Sequence, residues 1–174
     1  LHPGASAPAR AWHADRYREL AGALVAGGWH VTVTGGAGER GLTRHVTAGI
    51  DAVDLGGATT LPALAAVLAG SAAIITGNTG PAHLAAAVGT PVVSLYAPTV
   101  PAIRWRPWGV RHVLLGDQDI ACRGCRASCC PLPGHPCLGV VTADDVVAAL
   151  RRLLADKDHT LAPGVADHHR PVGV

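Results

Sequence analysis

Apolar and polar positions along the chain form short segments whose hydrophobic period switches between that of a strand and that of a helix. Runs rich in aliphatic and β-branched residues predict strands at residues 29–34, 72–76, 91–96 and 110–115, with a weaker one at 52–55. Apolar residues at helical spacing predict helices at 15–27, at 39–47, from 60, from 80 to the glycine at 89, and after 142. Strands and helices therefore alternate along most of the chain.

The ends of these helices carry the residues expected at helix caps. Thr60 precedes one predicted helix, and Thr142 forms with Asp145 the pattern of a capping box at the start of the last one. Gly27 and Gly89 close two others, since glycine readily adopts the backbone conformation that ends a helix. The caps support the helix assignments independently of the hydrophobic spacing.

This alternation predicts an α/β fold, a Rossmann-like doubly wound parallel sheet with helices on both faces. Ligands of such sheets bind outside the carboxyl ends of the strands. We expect one domain over residues 1–155, because the composition after Asp156 turns to Pro, Gly, His and Asp. Residues 156–174 are expected to form a disordered tail. The chain does not begin with Met, so we expect it to be a piece of a longer protein.

Residues 77–91 carry the most informative chemistry. They follow the predicted strand at 72–76 and start a short alanine-rich helix with Gly-Asn-Thr-Gly-Pro-Ala-His. Asn78 or Thr79 is expected to cap this helix, and Pro81 suits its first turn, where an amide hydrogen would be unpaired. Such a helix start suits an anion, above all a phosphate, because it offers free amides and the positive end of the helix dipole. A capped helix without any ligand is the competing interpretation.

These residues, with others along the chain, resemble glycosyltransferase family 9, the heptosyltransferases of lipopolysaccharide core assembly. The likeness lies in His-Pro-Gly-Ala-Ser at 2–6, Gly-Gly-Ala-Gly-Glu at 35–39, Asn-Thr-Gly-Pro-Ala-His-Leu-Ala-Ala at 78–86, Gly-Thr-Pro-Val-Val-Ser-Leu-Tyr-Ala-Pro-Thr at 89–99 and Arg-Trp-Arg-Pro-Trp-Gly at 104–109. It covers residues 1–155 in the family's order and spacing. The resemblance implies the C-terminal, donor-binding half of a B-type two-domain glycosyltransferase, without its N-terminal acceptor domain.

The resemblance also implies a site for a nucleotide-diphosphate sugar, with an ADP-sugar as the first choice. Arg10 would contact a phosphate and Glu39 the ribose hydroxyls. From the residues alone, Arg10 could instead be a solvated charge, Glu39 an acid favoured by the helix dipole, and His83 a packing residue. The implied donor-binding residues are Ser6, Arg10, Glu39, Asn78, Thr79, Gly80, Pro81 and His83.

The reaction implied by the resemblance is the inverting transfer of heptose or a related sugar to a cell-envelope glycan such as lipopolysaccharide core. This chain would stabilise the leaving diphosphate. No catalytic residue is assigned, because the general base of the family lies in its N-terminal domain. The fragment alone is therefore expected to bind the nucleotide weakly and to transfer nothing, and transfer should require no cofactor. Asn78 stands where the family has Asp, which leaves the identity of the sugar open.

Composition and charge exclude some classes of partner. The net charge is +2 and no basic cluster alternates with aromatic residues, which argues against nucleic acid. No run of eighteen apolar residues predicts a membrane span. We expect a cytoplasmic bacterial protein, with the inner membrane surface as an alternative, whose missing domain takes a glycan or lipid-linked acceptor. Trp105 and Trp108 are expected either to line the pocket or to cover the edge of the sheet.

All five cysteines lie in a loop at residues 121–138 that is rich in Gly and Pro. Four thiolates could hold a structural zinc ion or an iron–sulfur cluster, although the second pair lacks Cys-x₂-Cys spacing. Free or disulfide-bonded thiols and a redox role are the other interpretations. The four candidate ligands are Cys122, Cys125, Cys130 and Cys137.

Two other classes of function remain open. One is a non-catalytic, Cys-rich interaction or metal-binding module with a Rossmann-like frame, which should not bind nucleotide sugars. The other is a nucleotide-sugar epimerase, against which the His-Pro-Gly-Ala-Ser segment at 2–6 argues.

Overall fold

The computed structural model describes residues 1–155, in which strands and helices alternate. The strands are β1 (Val31–Gly35), β2 (Ala52–Gly56), β3 (Ile74–Gly77), β4 (Val92–Leu95) and β5 (His112–Leu115). The helices are α1 (Ala14–Ala26), α2 (Arg40–Thr47), α3 (Leu61–Ala69), α4 (Gly80–Ala87), α5 (Ala102–Trp105), α6 (Pro136–Gly139) and α7 (Ala143–Ala155). Two 3₁₀ turns lie at Pro8–Arg10 and Ala37–Glu39. The predicted tail, residues 156–174, lies outside the described residues.

Residues 1 and 2 connect two groups of parallel strands, β1 with β2 and β3 with β4 and β5. The Leu1 amine donates to the Thr32 carbonyl at 2.6 Å on one side, and the His2 amide donates to the Ile75 carbonyl at 3.0 Å on the other. The strand order is therefore β2, β1, residues 1–2, β3, β4, β5. This is the order of a doubly wound Rossmann sheet, so the predicted fold class is confirmed.

The direction of winding assigns the helices to the two faces of the sheet. From residues 1–2 the chain winds through α1 and α2 towards β2, whereas from β3 it winds the opposite way through α4 and α5. Because such crossovers are right-handed, α1 and α2 cover one face and α3, α4 and α5 the other. α7 packs against α1. The core is divided accordingly, since Ile75 and Val93 pack with the α1 face and Ile74 and Val92 with the α4 face.

Most predicted elements are present, with shifted ends. The capping box at α7 is confirmed: the Asp145 amide donates to Thr142 Oγ1 at 3.2 Å, and the Thr142 amide donates to Asp145 Oδ2 at 2.9 Å. The predicted helix at 39–47 is instead a 3₁₀ turn followed by α2. The four-residue helices α5 and α6 were not predicted, because a single turn gives no hydrophobic period. No helix among residues 1–155 is long and apolar enough to cross a membrane.

The two later tryptophans are both exposed. Trp105 is 51% exposed and Trp108 is 85% exposed, so neither ring is part of the buried core. Both lie in the connection from β4 to β5, whose buried apolar side chains include Tyr96, Pro107 and Val110. A buried tyrosine ring therefore anchors the start of this connection, whereas the two tryptophan rings further along it are at least half exposed.

Candidate functional site

The candidate site lies at the carboxyl edge of the sheet, where the direction of winding reverses. Residues 1–2 and β3 are neighbours in the sheet. The chain leaves residues 1–2 towards α1 on one face and leaves β3 towards α4 on the other. The two connections, residues 3–10 and 78–80, diverge and leave a crevice between them, which is where doubly wound folds bind ligands.

The start of α4 has unpaired backbone amides at this crevice. Thr79 occupies the cap position, but its side chain makes no capping hydrogen bond, and its hydroxyl oxygen lies 3.2 Å from that of Thr76. No protein acceptor within residues 1–155 pairs with the Gly80 amide, and a Cβ built on Gly80 would meet no atom within 4 Å. An open helix start of this kind attracts an anion.

Four buried side-chain atoms near this edge have no hydrogen-bond partner in the described part of the chain. Asn78 is only 5% exposed and its Nδ2 is one of them; the residue at the cap position of α4 is Thr79 and not Asn78. A buried donor without an acceptor costs about 1–3 kcal/mol, so a group of them makes this edge the candidate place for a polar ligand. The four atoms are Arg10 Nε, Asn78 Nδ2, Ser94 Oγ and Thr99 Oγ1.

Arg10 lies against the end of β3. Its carbonyl oxygen is 3.1 Å from where a Cβ on Gly77 would be, so only glycine leaves room for this approach. Its positive charge partly offsets the rise that burial causes in the pKa of the Tyr96 hydroxyl, which follows β4. Arg10 forms no salt bridge among the described residues, and its Nε is buried. A half-buried cation without a counter-charge is expected to meet an anionic ligand.

Glu39 lies at the same edge, beyond the end of β1. Its Oε2 accepts from the Gly36 amide at 2.6 Å and lies 3.8 Å from His2 Nε2. A Cβ on Gly4 would overlap the Glu39 carboxylate, so glycine at that position makes room for it. The acid is thus held beside residues 3–10, with about a third of its side chain exposed. It can accept a hydrogen bond from a ligand hydroxyl.

The imidazole of His2 makes stability depend on pH. Burial lowers its pKa below 6.5; the Glu39 carboxylate opposes this effect and the Leu1 amine adds to it. The folded protein therefore favours the neutral ring, and the unfolded chain takes up the proton first. We expect the free energy of unfolding to be highest above pH 6.5 and to fall as the pH drops below it.

Denaturant unfolding between pH 7.5 and 5 measures this dependence. His2→Gln is expected to flatten the slope below pH 6.5. His13→Gln changes an exposed imidazole and should leave the slope as it is in the unchanged protein. Equal slopes in all three proteins would show that His2 titrates alike in the folded and unfolded states.

The remaining predicted residues lie in more exposed positions. Ser6 is exposed, and His83 is exposed in the first turn of α4 beside Pro81. A cavity of about 950 Å³ runs along residues 3–16, and its lining includes Glu39, Trp12 and His135 but not Arg10 or any residue of α4. The predicted donor residues thus form two groups, one at the open start of α4 and one at Glu39.

The structure does not support the predicted metal centre at Cys122, Cys125, Cys130 and Cys137. Within residues 1–155 no three His, Cys, Asp or Glu side chains are arranged to hold a metal ion. All five cysteines are free thiols, with Cys137 buried and Cys125 exposed. Neighbouring thiols add to the effect of burial, which raises the pKa of Cys137.

The Cys-rich loop instead hydrogen-bonds to two of the segments that carry the unpaired groups, those of Arg10 and Thr99. The Ala9 amide donates to the Ser128 carbonyl at 2.9 Å, next to Arg10 in sequence. The Gly124 amide donates to the Pro98 carbonyl at 2.7 Å, and the Arg126 amide donates to the Thr99 carbonyl at 2.9 Å. The loop therefore helps to fix the positions of Arg10 and Thr99.

Gly116 fixes the start of this loop, and its replacement should be costly. Its φ is +124°, and an added Cβ would lie 2.6 Å from the Tyr96 carbonyl oxygen and 3.1 Å from that of Cys137. Because these are backbone atoms that cannot rotate away, we expect Gly116→Ala to lower the free energy of unfolding by about 2–4 kcal/mol. Chemical denaturation measures the change.

Gly109→Ala is the matched control for this substitution. Gly109 also has a positive φ, +76°, but a Cβ there would meet no atom within 4 Å. Gly109→Ala should lower the free energy of unfolding by only about 1–2 kcal/mol, through backbone strain. An equal loss in the two variants would show that the connection after β5 can move aside.

Several residues at the site could not be found from sequence. Thr99 belongs to the Ala-Pro-Thr segment that supports the resemblance, and Ser94 to a predicted strand, but nothing in the sequence assigned either a polar role. His2 and Gly4 lie in the segment 2–6, and their contacts with Glu39 appear only after folding. The one sequence feature that could have pointed to Ser94 and Thr99 is a polar residue at or just after the end of an apolar strand.

Comparison with known protein families gives a match over most of the chain. The model described as glycosyltransferase family 9 (heptosyltransferase) matches residues 1–135. A curated relative, lipopolysaccharide heptosyltransferase 1 of Pseudomonas aeruginosa, is 35% identical over 120 residues, which are 68% of this chain and 33% of that protein. The chain spans about a third to a half of the length of the curated relatives it matches.

Solved structures agree with this comparison. The Escherichia coli ADP-heptose lipopolysaccharide heptosyltransferase II superposes with a TM-score of 0.74 at 27% identity, over 88% of this chain and 45% of that one. An Escherichia coli heptosyltransferase solved with ADP superposes with a TM-score of 0.68 over 87% of this chain and 42% of that one. At 23% identity, the second likeness shows the fold alone.

Proposed function

Because the chain belongs to glycosyltransferase family 9, we propose that residues 1–155 bind the nucleotide-diphosphate-sugar donor of an inverting sugar transfer. The unit would be the C-terminal half of a two-domain enzyme, with the acceptor domain outside this sequence. The acceptor would be a cell-envelope glycan such as lipopolysaccharide core, on the cytoplasmic side of the membrane and at its surface. The described half would hold the donor, and the other half would present the acceptor.

The observation that carries this proposal is the set of unpaired donors at the crevice. Arg10 Nε and Asn78 Nδ2 are buried without acceptors, and the Gly80 amide is free at the start of α4. A diphosphate supplies oxygen acceptors and negative charge together, which satisfies all three groups. Glu39 would accept from the ribose hydroxyls. Ser6, Thr79, Pro81 and His83 would complete the surface around the donor.

In the proposed reaction, Arg10 and the start of α4 act on the leaving nucleotide diphosphate. The acceptor oxygen attacks the anomeric carbon, the bond from that carbon to the diphosphate oxygen breaks, and the electron pair leaves with the nucleotide diphosphate. Arg10, the Gly80 amide and the dipole of α4 stabilise the negative charge that develops there. We propose that transfer needs no metal ion, because these groups offset the charge. The acceptor proton goes to a base in the other half of the enzyme.

We take ADP as the nucleotide and heptose or a related sugar as the group transferred. Two of the similar proteins support this choice, since one is a lipopolysaccharide heptosyltransferase and another is an ADP-heptose lipopolysaccharide heptosyltransferase. Asn78 presents a neutral amide at the start of α4. Unlike a carboxylate, this amide donates through Nδ2 as well as accepting through Oδ1, so Asn78 can donate to a diphosphate oxygen and still accept from a sugar hydroxyl.

Nucleotide binding tests the proposal. Isothermal titration of the 174-residue chain with ADP, UDP and GDP should show saturable binding for ADP. Adenosine should bind far more weakly, because it lacks the groups that meet Arg10 and α4. A non-catalytic Cys-rich module predicts no saturable binding for any of the three diphosphates, and that result would overturn the proposal.

The assignment of the base to the other half is tested separately. The chain is incubated with ADP-heptose and a lipid-linked acceptor, and products are followed by mass spectrometry. We expect no transferred sugar. Transfer by this chain alone would show that the base lies within it, whether or not ADP binds as proposed.

A further inference from the structure

The sheet face covered by α3, α4 and α5 differs in charge from the opposite face. Between Asp54 and Asp117 the sequence contains no Asp or Glu, so none of these three helices carries an acidic side chain. Arg104 is the arginine in these helices, and Arg106 follows the last residue of α5. On the other face, α1 and α7 each carry acidic and basic residues. One face of the protein is thus free of helix-borne negative charge.

Large apolar side chains are exposed on the same face. Ile103 is 75% exposed, and with Trp105 and Trp108 it places three apolar side chains in solvent within six residues. Arg104 and Arg106 alternate with them and are also exposed. We call residues 103–108 the Trp–Arg segment. Leu61, at the start of α3, is exposed as well, and α3 contains no polar residue. A surface of this kind indicates an interaction site, because soluble monomers rarely leave large rings in water.

We propose that the Trp–Arg segment binds an anionic lipid surface. Tryptophan rings prefer the boundary between acyl chains and headgroups, and arginines beside them attract anionic headgroups. The absence of acidic residues on the helices of this face removes repulsion that would oppose the approach. This inference rests on the proposed function, which places the enzyme at the membrane surface, and it adds which segment of this chain makes the contact.

Position in the fold favours lipid over a ligand of the donor site. The chain leaves β4 at the carboxyl edge and enters β5 at the opposite edge, and Trp108 lies four residues before β5 begins. Trp108 is therefore near the edge of the sheet opposite the crevice. The segment can meet a membrane while the crevice stays open to donor. The two arginines favour an anionic surface over a neutral apolar partner, to which they would lose hydration without gaining a counter-charge.

Vesicle co-sedimentation tests the proposal with the full 174-residue chain, without donor or acceptor. We expect binding to vesicles of phosphatidylglycerol mixed with phosphatidylcholine, weaker binding in high salt, and none to phosphatidylcholine alone. The double variant Arg104→Gln/Arg106→Gln should reduce partitioning roughly thirtyfold, at about fivefold per arginine. Trp105→Ser/Trp108→Ser should reduce it by about tenfold or more.

Arg151→Gln/Arg152→Gln is the matched charge control, since it removes two exposed arginines from α7 on the opposite face. It should change partitioning by about twofold or less. Failure of the unchanged chain to bind anionic vesicles, or an equal loss in both arginine variants, would overturn the proposal. The proposal would also be overturned if the unchanged chain formed a dimer but bound no vesicles, and Trp105→Ser/Trp108→Ser abolished that dimer. The segment would then contact a second copy of the chain. ADP affinity is measured separately, so none of these outcomes bears on donor binding.

Discussion

Replacing Arg10 by glutamine is expected to weaken ADP binding about a hundredfold. The guanidinium is half-buried at the end of β3, with Nε unpaired and no salt-bridge partner among residues 1–155. A charge-assisted contact with a phosphate in such a place contributes about 2–3 kcal/mol. Glutamine keeps a hydrogen-bond donor and most of the length but removes the charge. Isothermal titration with ADP measures the difference.

Two comparisons isolate the phosphate contact. Arg151→Gln removes one positive charge from the exposed side of α7 and should leave ADP affinity within about twofold. Adenosine, which has no phosphate, should bind the Arg10→Gln variant as weakly as it binds the unchanged chain. If ADP binds that variant with undiminished affinity, the diphosphate does not lie at Arg10, and the open start of α4 would have to hold it alone.

The arrangement of the sheet was predictable from local pattern because each long element carries its own signal. The stripe of α1 and the Thr142–Asp145 capping box needed no knowledge of the rest of the fold. The strand at the centre of the sheet could not be predicted in this way, because only residues 1 and 2 of this chain contribute to that strand. Two residues are too few to show a hydrophobic period. Their place follows only from hydrogen bonds to Thr32 and Ile75.

Some residues of the site were likewise predictable from local sequence and others were not. Arg10, Glu39 and Asn78 were singled out because each stands in or beside a short segment with a recognisable use. Thr99 and Ser94 were not, because the burial of their hydroxyls without a partner appears only in the folded chain. The donor roles of all these residues remain predictions until nucleotide binding is measured.

The Cys-rich loop shows how far spacing can mislead. Four of the five cysteines match the number of ligands in a zinc site, but spacing does not fix whether their side chains adopt a metal-binding arrangement, and within residues 1–155 they do not. The backbone of the loop is used for hydrogen bonds to Ala9, Pro98 and Thr99 instead. A loop can therefore be indispensable to a site through its main chain, whatever its side chains suggest.

Trp12→Ala should be the most destabilising of the substitutions considered, lowering the free energy of unfolding by about 3–5 kcal/mol. The ring is 4% exposed and packs edge-on against Tyr17 with centroids 5.0 Å apart. Its Nε1 also donates to the Val141 carbonyl at 3.2 Å, which joins the segment after Arg10 to the start of α7. Truncation leaves a cavity in the larger core and an unpaired carbonyl. Urea denaturation followed by circular dichroism measures the loss.

Trp108→Ala is the matched control, since the same atoms are removed from a ring that is 85% exposed. It should change stability by no more than about 0.5 kcal/mol. Trp12→Phe should lie between the two, at about 1–3 kcal/mol, because it refills most of the cavity but leaves the Val141 carbonyl without its donor. Since Trp12 is two residues from Arg10, Trp12→Ala should also weaken ADP binding under conditions where the protein stays folded. Equal stability of Trp12→Ala and Trp108→Ala would mean that the first connection is not anchored through this ring, and the fixed position of Arg10 would then need another cause.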